Sequence, residues 1–368
     1  MTTLFSPFKL GRYTLPNRIV MAPMTRARAI DLRPNLDTAI YYQQRASAGL
    51  IISEGVPISE EGRGQAYTPG IYNPAQVEAW RKVTRAVHER GGRMFAQLWH
   101  VGRASHTSQQ VGGLAPVGAS DLKGENVYTW VVGDDGVAGM VPQSQPRQLA
   151  TEEVARVTSD FVHAARCALE AEFDGIELHG ANGYLFEQFI NASVNNRSDR
   201  YGGSIANRLR FTLETVDAVA AAIGADRVGI RLAPFGRFND MRPFEQERET
   251  WLALASELSK RNLAYVHLSD QETLGEQGIP QGFVAEFRAA YAGTLILAGG
   301  YDKQRGVAAL DADKADLIAI GRAFIANPDL VERMRHDWPL AEPDRATFYG
   351  LGNHGYTDYP AYQLTPQA

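Results

Sequence analysis

Gly175-Ile-Glu-Leu-His179-Gly-Ala-Asn182-Gly-Tyr184 reads as a strand running into a turn. Gly175 to Leu178 is a short apolar run. The glycines at 180 and 183 break it and let the backbone turn sharply. The break leaves an imidazole, a carboxamide and a phenol within six residues, at the end of a buried element. Two of these groups can donate hydrogen bonds to an electron-rich atom, and the third can surrender a proton. A strand ending in such groups and followed by a helix is one unit of an alternating α/β chain, and the other units lie on either side of it.

Toward the N-terminus, Phe8–Leu10 and Arg12–Thr14 joined at Gly11 predict a small hairpin at the entrance. Arg18–Ala22 is the first core strand and is ended by Pro23. A helix over Thr38–Ala48 precedes the second strand, Gly49–Ser53. Asn73-Pro74 marks a helix start, and apolar Val77, Trp80, Val83 and Val87 keep helical spacing up to His88. Arg93–Trp99 is the third strand. From about Arg103 to Leu149 the rhythm stops, in a stretch containing Gly133-Asp-Asp-Gly136 and several prolines. Structureless connections of that length are uncommon unless functional, so a loop or small β excursion covering one end of the fold is expected. Thr151 is expected to cap the next helix, with Glu152 and Glu153 in its first turn.

Beyond the quoted strand, Ser204 caps a helix carrying Leu209, Leu213, Val216, Ala220 and Ile223 at helical spacing. Val228–Leu232, Tyr265–Leu268, Thr294–Ala298 and Leu317–Ile320 are strands five to eight, with helices between them. Eight short, β-branched runs alternating with helices imply a parallel sheet with helices outside. Eight closes a (β/α)8 TIM barrel, here with an N-terminal β-hairpin and a long excursion after strand 3, all in a single domain over residues 1–368. A doubly wound open sheet calls for a glycine-rich dinucleotide turn after the first strand, but Pro23-Met-Thr-Arg26 stands there.

Composition excludes several function classes. The chain has 368 residues, 44% hydrophobic and 21% charged, with a formal net charge of -5 and no long charge run. That gives no footprint for nucleic acid or an anionic membrane. A single cysteine, Cys167, permits no internal disulfide and no cysteine-held metal or iron–sulfur cluster. Met1–Pro7 does not look like a secretory signal, and no stretch approaches the roughly 20 apolar residues of a membrane span. A cytoplasmic compartment is the default expectation.

In a barrel, function sits at the C-terminal ends of the strands. Arg231 lies within an apolar strand, so its guanidinium must be paired or face an electron-rich ligand. Glu177 shares the inward face with His179 by strand parity and is the candidate partner. Gln97 is either a satisfied amide on the barrel wall or a contact for a flavin edge. Gly299-Gly300 and Gly321-Arg322 resemble a phosphate cradle, in which backbone N–H groups approach closely and the arginine adds charge-assisted bonds. The alternative for these glycines is a plain tight turn.

Taken together, these ends resemble the Old Yellow Enzyme family of FMN-dependent ene-reductases. The resemblance runs through Asn17-Arg-Ile-Val-Met-Ala-Pro-Met-Thr-Arg26, Ala96-Gln-Leu-Trp-His100, His179-Gly-Ala-Asn-Gly-Tyr184 and Asn196-Arg-Ser-Asp-Arg-Tyr-Gly-Gly-Ser204. It continues in Ile320-Gly-Arg-Ala-Phe-Ile-Ala-Asn-Pro-Asp329 and Gly355-Tyr-Thr-Asp-Tyr-Pro360. It implies that Pro23, Met24, Thr25, Gly55, Gln97 and Arg231 hold the FMN ring and that Gly299, Gly300, Gly321 and Arg322 hold its phosphate. It further implies that His179 and Asn182 grip the substrate oxygen, that Tyr184 donates the proton, and that Tyr67, Trp99 and Tyr349 line the pocket. The implied reductant is NADPH or NADH, with NADPH the family's commoner choice. The implied partner is a small electrophilic alkene or nitro compound. Thr25 stands where one branch of the family has cysteine, and residue 182 varies in the family between Asn and His. The sequence leaves the oligomeric state open. Two other classes predict different behaviour. A flavin-free carbonyl reductase would be colourless, and a flavin sensor would be yellow without turning over alkene.

Overall fold

The computed structural model describes residues 3–133 and 135–363. The ends of the 1–368 assignment, and Asp134 of the Gly133–Gly136 turn, lie outside the described residues. In chain order the strands are β1 (Phe8–Leu10), β2 (Tyr13–Leu15), β3 (Ile19–Met21), β4 (Leu50–Pro57), β5 (Met94–Trp99), β6 (Val117–Gly118) and β7 (Tyr128–Val132). They continue with β8 (Ala138–Pro142), β9 (Arg147–Gln148), β10 (Gly175–Gly180), β11 (Val228–Leu232), β12 (Tyr265–Ser269), β13 (Leu295–Ala298) and β14 (Leu317–Ile320). Strands β3, β4, β5 and β10 to β14 close into one parallel barrel. Nearly all of their residues are buried, because the interior covers one face and the helices cover the other. That two-sided burial is why these segments are continuous apolar runs.

Several helix starts fall where side chains supply the missing hydrogen bonds. Asn73 accepts from Gln76 N ahead of Pro74–His88, and Ser204 accepts from Asn207 N ahead of Ile205–Ile223. Two expected starts shift. The helix after the excursion runs Thr151–Glu170 with Ala150 at the cap position. Glu153 reaches back to accept from Ala150 N at 2.7 Å, which frees the Thr151 hydroxyl to donate to Asp199. The helix expected over Thr38–Ala48 is Leu36–Gln44, with Asn35 and Thr38 forming a capping box.

The β1–β2 hairpin turns at Gly11, but it closes the bottom of the barrel and not its entrance. Leu10 and Leu15 pack with Val20, Phe95 and Tyr265, and Tyr13 Oη donates to Asp174 O just before β10. The excursion is a small β structure, in which β7 pairs antiparallel with β8 and β6 pairs parallel with β9. Arg197 anchors its base through Ala119 O and Leu149 O, and Arg103 ties it to Leu122 O, Asn239 O and Asp240 O. The C-terminal segment is held from below. Arg26 donates to the carbonyls of Thr347, Phe348 and Gly355, and Arg28 donates to those of Thr347, Phe348, Gly352 and His354. No helix among the described residues is long and apolar enough to cross a membrane.

Candidate active site

The strand ends surround a cavity of about 960 Å3. Pro23, Met24 and Thr25 follow β3 into its wall, Gly55 comes from β4, and Gln97 and Trp99 from β5. His179, Asn182 and Tyr184 follow from β10 and Arg231 from β11, with Gly299 and Gly300 after β13 and Gly321 and Arg322 after β14. Tyr349 arrives from the C-terminal segment and packs, tilted, on Trp130 of the excursion at 6.4 Å between ring centres. Tyr67 is not among the lining residues; it sits in a left-handed turn whose carbonyl accepts from Ala29 N.

His179 is buried against aromatic rings. Its ring centre lies 6.2 Å from Trp99 and 5.0 Å from Tyr184. Ala181 N–H donates to Nδ1 at 3.4 Å, which makes Nδ1 the acceptor and leaves Nε2–H as the donor. Burial, together with the neighbouring Arg231 and His267, holds the imidazole well below its ordinary pKa, so the ring is neutral. The turn after it is left-handed at Asn182 and Gly183, with φ of 59° and 70°. A Cβ at Gly183 would lie 2.6 Å from Phe238 O, so the close approach also requires glycine. Gly183 N–H donates to Glu187 at 2.7 Å, and Gln188 holds the carbonyls of Val101 and Gly183. Tyr184 begins the helix Leu185–Ile190 and stands edge-on to Trp99 at 5.0 Å. Burial pushes its phenol up, so it stays protonated.

The floor is polar. Glu177 faces inward, as parity predicts, but the ion pair with Arg231 is not formed. The Glu177 carboxyl accepts from Gln97 Nε2 at 2.8 Å and from His267 Nδ1 at 2.9 Å. Arg231 instead donates through Nη2 to Ser269 Oγ at 2.8 Å, and its buried Nε has no partner among the described residues. An unpartnered guanidinium nitrogen beside the cavity fits an electron-rich ligand edge. The phosphate end fits as well. Gly299 and Gly300 hold φ of 123° and 66°. A Cβ at Gly321 would make only ordinary contact, with Met24 Sδ at 3.5 Å, so the backbone there is uncrowded. FMN, with an aromatic ring system at one end and a phosphate at the other, matches this donor set.

Several further wall residues carry no distinguishing mark in the sequence. Ser269 ends β12 and Asp270 and Thr273 follow it, Phe238 follows β11, and Arg345 and Phe348 belong to the C-terminal segment. Ser269 was within reach by parity, two residues beyond His267 on the same strand.

Residues 3–341 match the NADH:flavin oxidoreductase / NADH oxidase family. The chain is 44% identical to 12-oxophytodienoate reductase 1 of Oryza sativa subsp. japonica, over 97% of this chain and 92% of that protein. It superimposes on morphinone reductase with a TM-score of 0.96 and 48% identity, covering 98% of this chain and 96% of that one. A structure of morphinone reductase in complex with tetrahydroNAD is similar at 47% identity and TM-score 0.96, covering 100% of both chains. An Old Yellow Enzyme homologue from Zymomonas mobilis superimposes with a TM-score of 0.92 and 39% identity, covering 98% of this chain and 100% of that one. The chain belongs to the NADH:flavin oxidoreductase / NADH oxidase family, and within it to the Old Yellow Enzyme family of FMN-dependent, NAD(P)H-driven ene-reductases.

Proposed function

We propose that this enzyme reduces the C=C bond of an activated alkene (an enone, enal, maleimide or nitroalkene), with His179 and Asn182 binding the activating oxygen and Tyr184 protonating the α-carbon. The observation that carries the reading is the convergence of a neutral imidazole, a carboxamide and a buried, protonated phenol on one wall above Arg231 and Gln97. FMN, when bound, would supply the redox chemistry, as hydride acceptor for the nicotinamide and hydride donor for the β-carbon.

Everything else falls to the chain. Pro23, Met24, Thr25, Gly55, Gln97 and Arg231 hold the flavin ring, and Gly299, Gly300, Gly321 and Arg322 hold its phosphate. His179 Nε2–H and Asn182 Nδ2–H donate to the oxygen on which charge grows, acting as an oxyanion hole. Tyr184 Oη gives its proton to the α-carbon, and burial favours the protonated phenol that this step needs. Trp99 and Tyr349 bound the pocket sideways. Both reactants use one cavity in turn, giving ping-pong kinetics. Relatives named for reducing 12-oxophytodienoate and morphinone support a carbonyl-bearing substrate. Residues 1–368 work as one domain, a reading supported by the arginine ties between the C-terminal segment and the barrel.

The test is anaerobic. NADPH or NADH should bleach the purified yellow protein, and cyclohexenone should restore the colour with one equivalent of cyclohexanone formed. Bleaching without recovery across enone, maleimide and nitroalkene would remove the alkene-reductase reading.

A further inference from the structure

The Asn182 carboxamide is nearly symmetric in shape, yet only one of its ends can donate to a substrate oxygen. Something must decide which end faces the cavity. The loop after β12 carries a residue placed to do so. Gln271 is 1% exposed and reaches between the turns that follow β10 and β11. Its Oε1 accepts from Arg237 N–H at 2.8 Å and from Phe238 N–H at 3.1 Å. Backbone N–H groups cannot accept, so these two bonds fix the oxygen end of Gln271. Its nitrogen end is thereby turned the other way, and Nε2 donates to Asn182 Oδ1 at 3.1 Å. That bond fixes the oxygen end of Asn182 in turn, leaving Nδ2–H toward the cavity, where it has no partner among the described residues. The backbone beneath is held too, since Asn239 Nδ2 donates to Asn182 O at 2.9 Å. Gly236 packs so close that a Cβ there would lie 2.7 Å from Gln271 Cδ, so the side chain has little room to turn.

We infer that Gln271 is a positioning residue for alkene reduction, an amide relay that fixes Asn182 as a hydrogen-bond donor. The inference rests on the donor role given to Asn182 above. The substitution Gln271→Glu keeps both acceptor bonds to Arg237 and Phe238 but leaves no donor for Asn182. Asn182 then turns its own Nδ2–H toward the new carboxylate and presents Oδ1 to the cavity, where it repels a substrate oxygen.

The experiment is a double-mutant cycle on the FMN-loaded enzyme. It measures the Kd of 4-hydroxybenzaldehyde, a phenol whose oxygen stands in for the substrate's, together with kcat and KM for cyclohexenone. Q271E should weaken phenol binding by about tenfold or more, the scale of one polar group left facing an acceptor in a dry site. In an N182A background the same change should cost less than about twofold, because Gln271 then has nothing to orient. Equal losses from Q271E in both backgrounds, or wild-type affinity in the single variant, overturn the inference. If N182A alone leaves phenol binding intact, the donor reading of Asn182 fails and the inference falls with it. Should Q271E fail to retain FMN, Q271M keeps the side-chain length without a polar head and is read through the same cycle.

Discussion

Glu187 gives the sharpest quantitative handle on the substrate turn. Its carboxyl is 2% exposed under Asn182–Tyr184, where it accepts from Gly183 N–H at 2.7 Å. Burial pushes it from an ordinary 4.5 up to about 8, with the nearby Glu247 adding to the rise and the Gly183 bond and Arg237 opposing it. The folded protein therefore keeps this proton through neutral pH while the unfolded chain has lost it. The sign follows from linkage. The stability tied to the group is fully present below 4.5 and is lost as pH rises toward 8. At about 1.4 kcal/mol per pH unit, roughly 3 kcal/mol is forfeited by pH 7 and under about 1 kcal/mol by pH 5. Glu187→Gln cannot ionise, and its amide oxygen can still accept from Gly183. At roughly 2 cal/mol/K per residue, the entropy of unfolding for a chain of this length is on the order of 0.8 kcal/mol per kelvin. The variant should therefore melt about 4 °C above wild type at pH 7 and within about 1 °C of it at pH 5. Differential scanning fluorimetry on both holoenzymes across that range reads this directly. A melting difference that does not change between pH 5 and pH 8 would refute the reasoning, because only a group titrating differently in the two states produces a slope.

Three further outcomes address the chemistry. His179→Ala should lower alkene reduction by about 10²–10³-fold, as for loss of one oxyanion donor, while FMN absorbance is retained; unchanged affinity for 4-hydroxybenzaldehyde would take His179 out of the donor pair. Tyr184→Phe should slow reoxidation by poorly activated alkenes in stopped flow and leave reduction by the nicotinamide intact, and an unaltered alkene rate would remove Tyr184 from proton transfer. Arg322→Ala should release flavin on dialysis, seen as lost absorbance in the retained protein, and full retention would show that the cradle does not need this charge.

The barrel was legible because two-sided burial forces each core strand into a continuous apolar run, and those runs alternate with helical spacing. The wall residues on strands and their immediate ends, such as Gln97, His179 and Arg231, were legible for a related reason: polar groups stand out in apolar segments. Partners were harder to read. Parity turned Glu177 inward, yet its contacts come from β5 and β12, and the choice of Gln97 and His267 over Arg231 depends on registers that no single strand encodes. Gln271 lies in a polar loop without periodicity. Apart from Tyr349, which the family resemblance named, the C-terminal wall was hidden most deeply, because Arg26 and Arg28 hold it through main-chain carbonyls, which every residue possesses.

The net charge of -5 also concealed the character of the site. Arg26, Arg231, Arg322 and Arg345 line the cavity, and Asp270 is the sole acidic residue among the described lining residues. An acidic chain thus places an excess of positive charge where the ligand binds. Had Glu177 paired with Arg231, the pair would have cancelled beneath the substrate turn. Glu177 is committed to Gln97 and His267 instead, and the Arg231 charge remains directed at the cavity. Burial, with the Arg231 charge adding to it, lowers the pKa of His179 and so keeps the imidazole a neutral donor. Arg231, free of a direct ion pair, therefore serves two ends, attracting negative charge to the floor and reinforcing the burial that keeps the donor above it from becoming a second cation that would hold a phenolate or enolate too tightly to release.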